Sequence, residues 1–305
     1  MTSPVAPQFQ PVHIGDEAKP PLAVVPDPQT LFTNRAARFR ALAPAHPLEA
    51  YLLMLAELSD AQNAILPKLP PVALPDADKI ERAFTHGMAP IARKDVAVDA
   101  VMLTTLDRLF DASRSITMPE AAAAARDGVI ASDEDQRRVM IANVLDDALP
   151  FEEMAEHVLV AAALQVHFAR LASQLPADRL TPVSDGACPA CGGPPVSSQI
   201  VGWENAHSTR FATCATCATN WHVVRVKCVA CSSTKGIHYK HVDGEPDTLR
   251  AECCDSCGTY LKLLNTAKAH ELDPVADDVA SAGLDVLMRE LGMRRSGFNV
   301  YLAGF

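Results

Sequence analysis

Four Cys-x-x-Cys pairs, Cys188/Cys191, Cys214/Cys217, Cys228/Cys231 and Cys254/Cys257, hold eight of the nine cysteines of this chain. Cys188 to Cys228, Cys191 to Cys231, Cys214 to Cys254 and Cys217 to Cys257 are each 40 residues apart, so the segment is a tandem duplication of Cys-x2-Cys-x22-Cys-x2-Cys. Arg210 and Arg250, Thr219 and Thr259, and Val223-Val224 and Leu263-Leu264 obey the same period. Within one unit the first pair joins the second. Cys188, Cys191, Cys214 and Cys217 are therefore expected to form one site, and Cys228, Cys231, Cys254 and Cys257 the other. Spacing also permits a nested arrangement, the middle four cysteines in one site and the outer four in another. Duplication favours the first pairing, because repeated units fold as self-contained neighbours.

Two residues between cysteines form a tight turn that aims both sulfurs at one ion, and two such turns complete a tetrahedron of thiolates. The 22-residue connection suits a hairpin or meander, with short strands expected in HVVRVKC and GIHYKHV. The alternative, buried thiols or disulfides, fits a fourfold motif at fixed period poorly. Each site is expected to hold one metal ion, zinc or iron, and four sulfur ligands leave no open position for hydrolytic catalysis. No catalytic residues are assigned. Four thiolates on a divalent ion carry a net charge of about −2, which calls for nearby amides and cations. Gly192, Gly193 and Gly258 would let amides approach sulfur, and Arg210, Lys227 and Arg250 are the candidate cations. Cys253, which takes the place of Thr213 in the first unit, reads as a packed small residue, and His207, His222, His238 and His241 as ordinary strand histidines.

The first 187 residues contain no cysteine and are patterned as helices. Leu31, Phe32, Ala36, Phe39 and Leu42 recur at spacings of three and four after an Asp27 start, and residues 47–66 form the partner of a helical hairpin. The proline-rich stretch 67–80 is expected as a loop. Helices are expected at 93–113, 119–128, 133–146 with Ser132 as N-cap, and 151–174, the last buried at the centre of a bundle with His157 and His167 as packing residues. Residues 273–293 form a last amphipathic helix that docks back on the bundle. The expected class is α+β, divided into a flexible tail (1–26), an α-helical domain (27–184), two four-cysteine ribbons (185–226 and 227–267), and a C-terminal helix and tail (268–305).

With 305 residues, 49% hydrophobic, and a formal charge of −10, the chain is expected to repel nucleic acid and anionic membranes. Residues 186–265 balance seven basic against six acidic side chains, so no basic stripe marks a nucleic-acid ribbon. The N-terminal residues lack the pattern of a secretory signal, the Arg-Arg doublets at 137 and 294 are internal, and no apolar run reaches membrane-span length, so the protein is expected in the reducing cytoplasm. Phosphate loops, nucleophile elbows and dinucleotide fingerprints are missing, so an enzyme is not expected. A binding module and an iron electron carrier remain, with spacing favouring the former.

CPACGGPPVSS (188–198), NWHVVRVKCVAC (220–231) and AECCDSCGTYLKLL (251–264) closely resemble the FdhE family of formate dehydrogenase accessory proteins. The helical stretches at 35–62 and 275–290 fit the same family, more weakly. The resemblance implies a cytoplasmic maturation factor with a helical N-terminal domain and two rubredoxin-like metal sites built from the eight motif cysteines. It also implies a partner, the catalytic subunit of respiratory formate dehydrogenase, bound as chaperone or quality control before twin-arginine export. A rubredoxin-like electron-transfer role on a partner enzyme is the alternative.

Overall fold

The computed structural model describes residues 19–96 and 99–303. Its N-terminal domain is a helical bundle. Helices α1 (Pro28–Leu42) and α2 (Glu49–Ile65) form the expected hairpin; the Asp27 side chain caps α1 by accepting from the Gln29 N–H at 3.0 Å, and Phe32 and Phe39 are fully buried. After the proline-rich connection come α3 (Ala77–Thr85), α4 (Arg93–Val96), α5 (Ala100–Ser113), α6 (Glu120–Ala131) and α7 (Glu134–Leu145).

Two expectations are corrected here. The helix expected over 93–113 is divided into α4 and α5, because Asp99 caps a new start by accepting from the Val101 N–H at 2.7 Å. Helix α7 is capped by Asp133, not Ser132. Asp133 and Gln136 form a reciprocal capping box, while the Ser132 N–H donates to Gly128 O at the end of α6.

The centre of the bundle is α8 (Met154–Ala172), buried nearly all round and packed against α2, α5, α6 and α7. No helix among the described residues is long and apolar enough to cross a membrane.

The cysteine-bearing half is a mixed sheet. Strands β1 (Ala23–Val24), β2 (Pro195–Val201), β3 (Thr209–Cys214), β4 (Asn220–His222), β5 (Ile237–Lys240), β6 (Leu249–Cys254) and β7 (Thr259–Asn265) lie in the order β1-β4-β3-β2-β7-β6-β5, with β8 (Arg294–Arg295) beside β7. Each repeat unit is an antiparallel three-stranded meander. Where spacing suggested self-contained neighbours, β2 and β7 pair in parallel from Ser198/Leu263 to Ile200/Asn265 and fuse the meanders into one sheet. A buried ion pair at 2.8 Å between Arg210 of β3 and Glu252 of β6 also ties one unit to the other. Of HVVRVKC, only His222 is in a strand, and the rest links the units; GIHYKHV contains β5.

Of the expected N-terminal tail, residues 1–18 lie outside the described residues. Ala23 and Val24, by contrast, form β1 against β4, with Ala23 buried.

The C-terminal segment expected as one helix is two, α9 (Ala276–Ala280) and α10 (Ala282–Glu290), broken at Ser281. Helix α9 packs on α1 and α2, while Leu284 and Met288 of α10 pack against Tyr260 and Ala251 of the second meander. The chain then returns to α8, where the Tyr301 hydroxyl donates to Gln165 Oε1 at 2.9 Å.

Candidate metal centres

Each cysteine pair sits on the same backbone device. The first cysteine's carbonyl accepts from the residue after the second cysteine: Gly192 to Cys188 at 2.8 Å, Ala218 to Cys214 at 3.2 Å, Ser232 to Cys228 at 2.9 Å and Gly258 to Cys254 at 2.9 Å. All four donors have positive φ, between 60° and 72°. This left-handed step turns the chain sharply enough to present both sulfurs of a pair to one point.

The structure brings together the two expected sets. Cys188, Cys191, Cys214 and Cys217 have their sulfurs within 4.8 Å of one another, as do Cys228, Cys231, Cys254 and Cys257. The nested arrangement is not formed. In the first group Sγ separations are 3.6 Å (Cys188–Cys217) and 3.5 Å (Cys191–Cys214 and Cys191–Cys217); in the second they are 3.7 Å for Cys228–Cys257 and Cys231–Cys254. A tetrahedron with metal–sulfur bonds of about 2.3 Å has edges of about 3.8 Å, so both groups could hold a metal ion. Their composition suits zinc and iron alike.

The surroundings of the sulfurs are tuned for charge. The Thr216 and Cys217 N–H groups each reach Cys214 Sγ at 3.4 Å. Burial opposes ionisation of Cys214, but hydrogen bonds from the Cys188, Cys191 and Cys217 thiols and from the Cys217 amide prevail, and its pKa falls well below the ordinary thiol value. Burial pushes the Cys188 pKa well up. In the second group burial raises Cys228 to about 12, whereas Cys257 falls to about 7; there burial is outweighed by hydrogen bonding, first from the Thr259 hydroxyl. Thr219 and Thr259, matched by the repeat, are equivalent here, their hydroxyls 3.2 Å from Cys217 Sγ and 3.1 Å from Cys257 Sγ. Each group thus contains a thiol predisposed to ionise first, and metal capture would release the remaining protons.

The two groups differ in depth. No cysteine of the first is more than 1% exposed, whereas Cys231 is exposed and Cys257 partly so. The helical domain makes the difference. Ile91 N–H donates to Ala190 O at 3.0 Å, Gln165 Nε2 to Ala215 O at 3.1 Å, and Arg93 Nη1 to Thr216 Oγ1 at 3.2 Å, so both knuckles of the first group are held from the bundle.

The cations singled out in the sequence are engaged elsewhere. Arg210 pairs with Glu252, Lys227 with Asp185 at 2.6 Å, and Arg250 with Asp247. Arg93, which sequence reasoning did not single out, stands beside the first group instead. Of the glycines, Gly193 makes room for it: a Cβ there would lie 2.6 Å from Arg93 Nη1 and 3.4 Å from the sulfurs of both Cys191 and Cys214.

Cys253 is fully buried among Ala251, Tyr260, Leu284 and Met288, and burial raises its pKa to about 11. The histidines belong to neither group: His222 lies edge-on to Phe211, His207 contacts Ser208, His238 lies 3.6 Å from Asp255, and His241 is exposed.

Comparison with known proteins agrees over the whole length. Residues 20–185, 187–225 and 226–302 match, in turn, the families described as FdhE N-terminal, FdhE central domain and FdhE C-terminal domain. A protein described as an FdhE homolog in Rhizobium meliloti (strain 1021) is 43% identical over 305 residues, covering 99% of each chain. One from Stutzerimonas stutzeri (strain A1501) is 34% identical, covering 94% of this chain and 93% of that one. The crystal structure of the FdhE protein from Pseudomonas aeruginosa superimposes with a TM-score of 0.82 at 32% identity, covering 93% of this chain and 99% of that one.

Proposed function

Because this chain belongs to the FdhE family, we propose that it is a cytoplasmic accessory protein of formate dehydrogenase that binds the catalytic subunit of the respiratory enzyme before twin-arginine export. It acts there as chaperone or quality-control factor and is not an enzyme. Its cofactors are two metal ions, zinc or iron, one held by Cys188, Cys191, Cys214 and Cys217 and the other by Cys228, Cys231, Cys254 and Cys257.

One observation carries this reading: all sulfurs of each group lie within 4.8 Å of one another, so the four tetrahedral positions are filled by the protein. An ion so enclosed offers a substrate no vacancy, and the chemistry left to it is to hold a fold that recognises a partner. Eight thiols suit the reducing cytoplasm. The test is calorimetric titration of the anaerobically purified chain against the purified catalytic subunit. The expected result is saturable binding, lost when Cys188 and Cys191 are both replaced by Ser. A folded, metal-loaded sample that does not bind would refute the partner.

A second reading, electron transfer by a rubredoxin-like iron site, draws on the exposure of Cys231, which leaves the second group open to solvent. It requires a red ferric-thiolate spectrum; colourless protein with stoichiometric zinc would eliminate it.

A further inference from the structure

From the position of one arginine we infer that the first metal site is an interdomain clasp: Arg93, supplied by the helical domain, balances the negative tetrathiolate. Metal capture there and docking of the bundle on the first ribbon are then a single linked equilibrium. The inference rests on the metal-binding reading above and is independent of the proposed partner.

The argument begins with distance. A Cβ on Gly193 would touch Arg93 Nη1 at 2.6 Å and the sulfurs of Cys191 and Cys214 at 3.4 Å. The guanidinium nitrogen is therefore about 6 Å or less from both sulfurs, a range in which an opposite charge acts strongly on its neighbour. Its hydrogen bonds go to neutral oxygens, Leu145 O at 2.8 and 3.2 Å and Thr216 Oγ1 at 3.2 Å, so its charge is not cancelled by them. The carboxylate that feels Arg93 from the bundle side is Asp147, whose pKa is nonetheless raised by burial. Meanwhile the four cysteines are at most 1% exposed. A thiolate cluster with net charge of about −2 in so dry a place needs a countercharge from the protein.

Arg93 bridges two modules through these contacts. Leu145 ends α7 of the bundle, and Thr216 lies between Cys214 and Cys217. The charge that stabilises the loaded site is thus delivered only when the domains are docked. By linkage, an ion that favours the docked form must be favoured by it equally. Lys227 and Arg250, near the second group in sequence, are instead engaged by Asp185 and Asp247.

The test uses the full chain, stripped of metal and titrated with cadmium-113 against a competing chelator, with the two tetrathiolate resonances followed separately by NMR. A variant with Cys231→Ser assigns them. Arg93→Gln is expected to weaken the buried site by about 10- to 100-fold and leave the open site unchanged. Arg93→Lys restores part of the loss, because it returns the charge without the fork. Gly193→Ala keeps the arginine but drives its flexible end away from the sulfurs, and weakens the same site. Hydrogen exchange in α4 and α7 slows on loading the wild type and fails to slow in Arg93→Gln.

Unchanged affinity of the buried site in Arg93→Gln overturns the inference, as does an equal loss at both sites or a lysine variant no better than glutamine. If Arg93→Gln does not fold, Gly193→Ala decides alone: unchanged buried-site affinity refutes the clasp. Failure of either group to bind cadmium in the wild type would instead sink the metal reading itself.

Discussion

Four residues in left-handed conformation do the turning at the candidate sites, and only two of them are glycine. Gly192 and Gly258 adopt positive φ without penalty, but Ala218 and Ser232 hold φ of 60°. A Cβ on Gly258 would meet nothing within 4 Å, so Gly258→Ala isolates the backbone term; it should destabilise the metal-loaded protein by about 1 kcal/mol in denaturant unfolding. Ala218→Gly relieves the same strain and is expected to be neutral or stabilising by up to about 1 kcal/mol. This symmetry was half legible: the sequence showed glycine after two of the four pairs, while Ala218 and Ser232 conceal the same conformation. Arg93 was not legible at all, since a cation roughly a hundred residues from the first cysteine becomes its neighbour only through folding. His157 and His167 were readable as packing residues from their place on an apolar helix. His157 lies between Glu153 O and Asn143, and His167 is fully buried with Nε2 3.2 Å from Asp99. Burial, opposed by Asp99, holds the His167 pKa near 4. The unfolded chain then binds a proton that the folded chain does not between about pH 6.5 and 4. Stability should accordingly fall as pH drops through that window, by about 3 kcal/mol in all from this group. Denaturant midpoints measured from pH 7 to 4 should decline less steeply in His167→Gln; parallel curves would exclude His167 as the source.

At the scale of elements, the break between α9 and α10 has a cause that periodicity does not carry. Lys262 of β7 is fully buried and directs its ammonium at Asp278 O (2.8 Å), Ser281 O (3.0 Å), Asp278 Oδ1 (3.3 Å) and Asp285 Oδ2 (2.5 Å). Arg295 pairs with both aspartates, and the Asn299 amide also donates to Asp278. In an unbroken helix Asp278 O would accept from the amide four residues on; at the interruption it accepts instead from the lysine and the Ser281 hydroxyl, while Ser281 O takes the lysine alongside the Leu284 N–H. Apolar spacing located the segment correctly because Leu284 and Met288 face the sheet. It could not register that a buried lysine in the sheet draws on carbonyls at the break. The parallel pairing of β2 with β7 escaped for a related reason: β2 is buried at every residue, so it has no alternating pattern from which an edge or partner can be read. Lys262→Met leaves one buried and one half-buried carboxylate, Asp278 and Asp285, facing one arginine and should cost about 3–5 kcal/mol. Adding Asp278→Asn removes the uncompensated charge, so the double variant should be less destabilised than the two single losses together predict. Thermal or urea unfolding of the three variants tests this, and strict additivity would show that the groups do not act as a network.

For the whole molecule, the duplication encodes two like sets of four cysteines, and the structure gives them unlike surroundings. The repeat encodes the cysteine knuckles and the threonine beside each fourth sulfur, and these are the same in both units. What surrounds the units is not repeated. The helical bundle lies over the first, through Ile91, Arg93 and Gln165, whereas the second includes Cys231, which is exposed. A single helical domain cannot cover both copies in the same way, so asymmetry follows from placing one unlike module beside two like ones. The consequence is kinetic. A chelator must reach the ion, and solvent already reaches the second group; the first becomes accessible only when the bundle lifts from the ribbon. Metal removal by an excess of chelator, followed by the absorbance of the chelator complex, should show two phases of equal amplitude, the fast one from the second group. Mild denaturant that loosens the interface should accelerate the slow phase selectively. Cys228→Ser with Cys231→Ser should abolish the fast phase and retain the slow one. A single phase releasing both ions would mean that the shared sheet, joined through β2 and β7, opens as one unit and that cover by the bundle does not govern release.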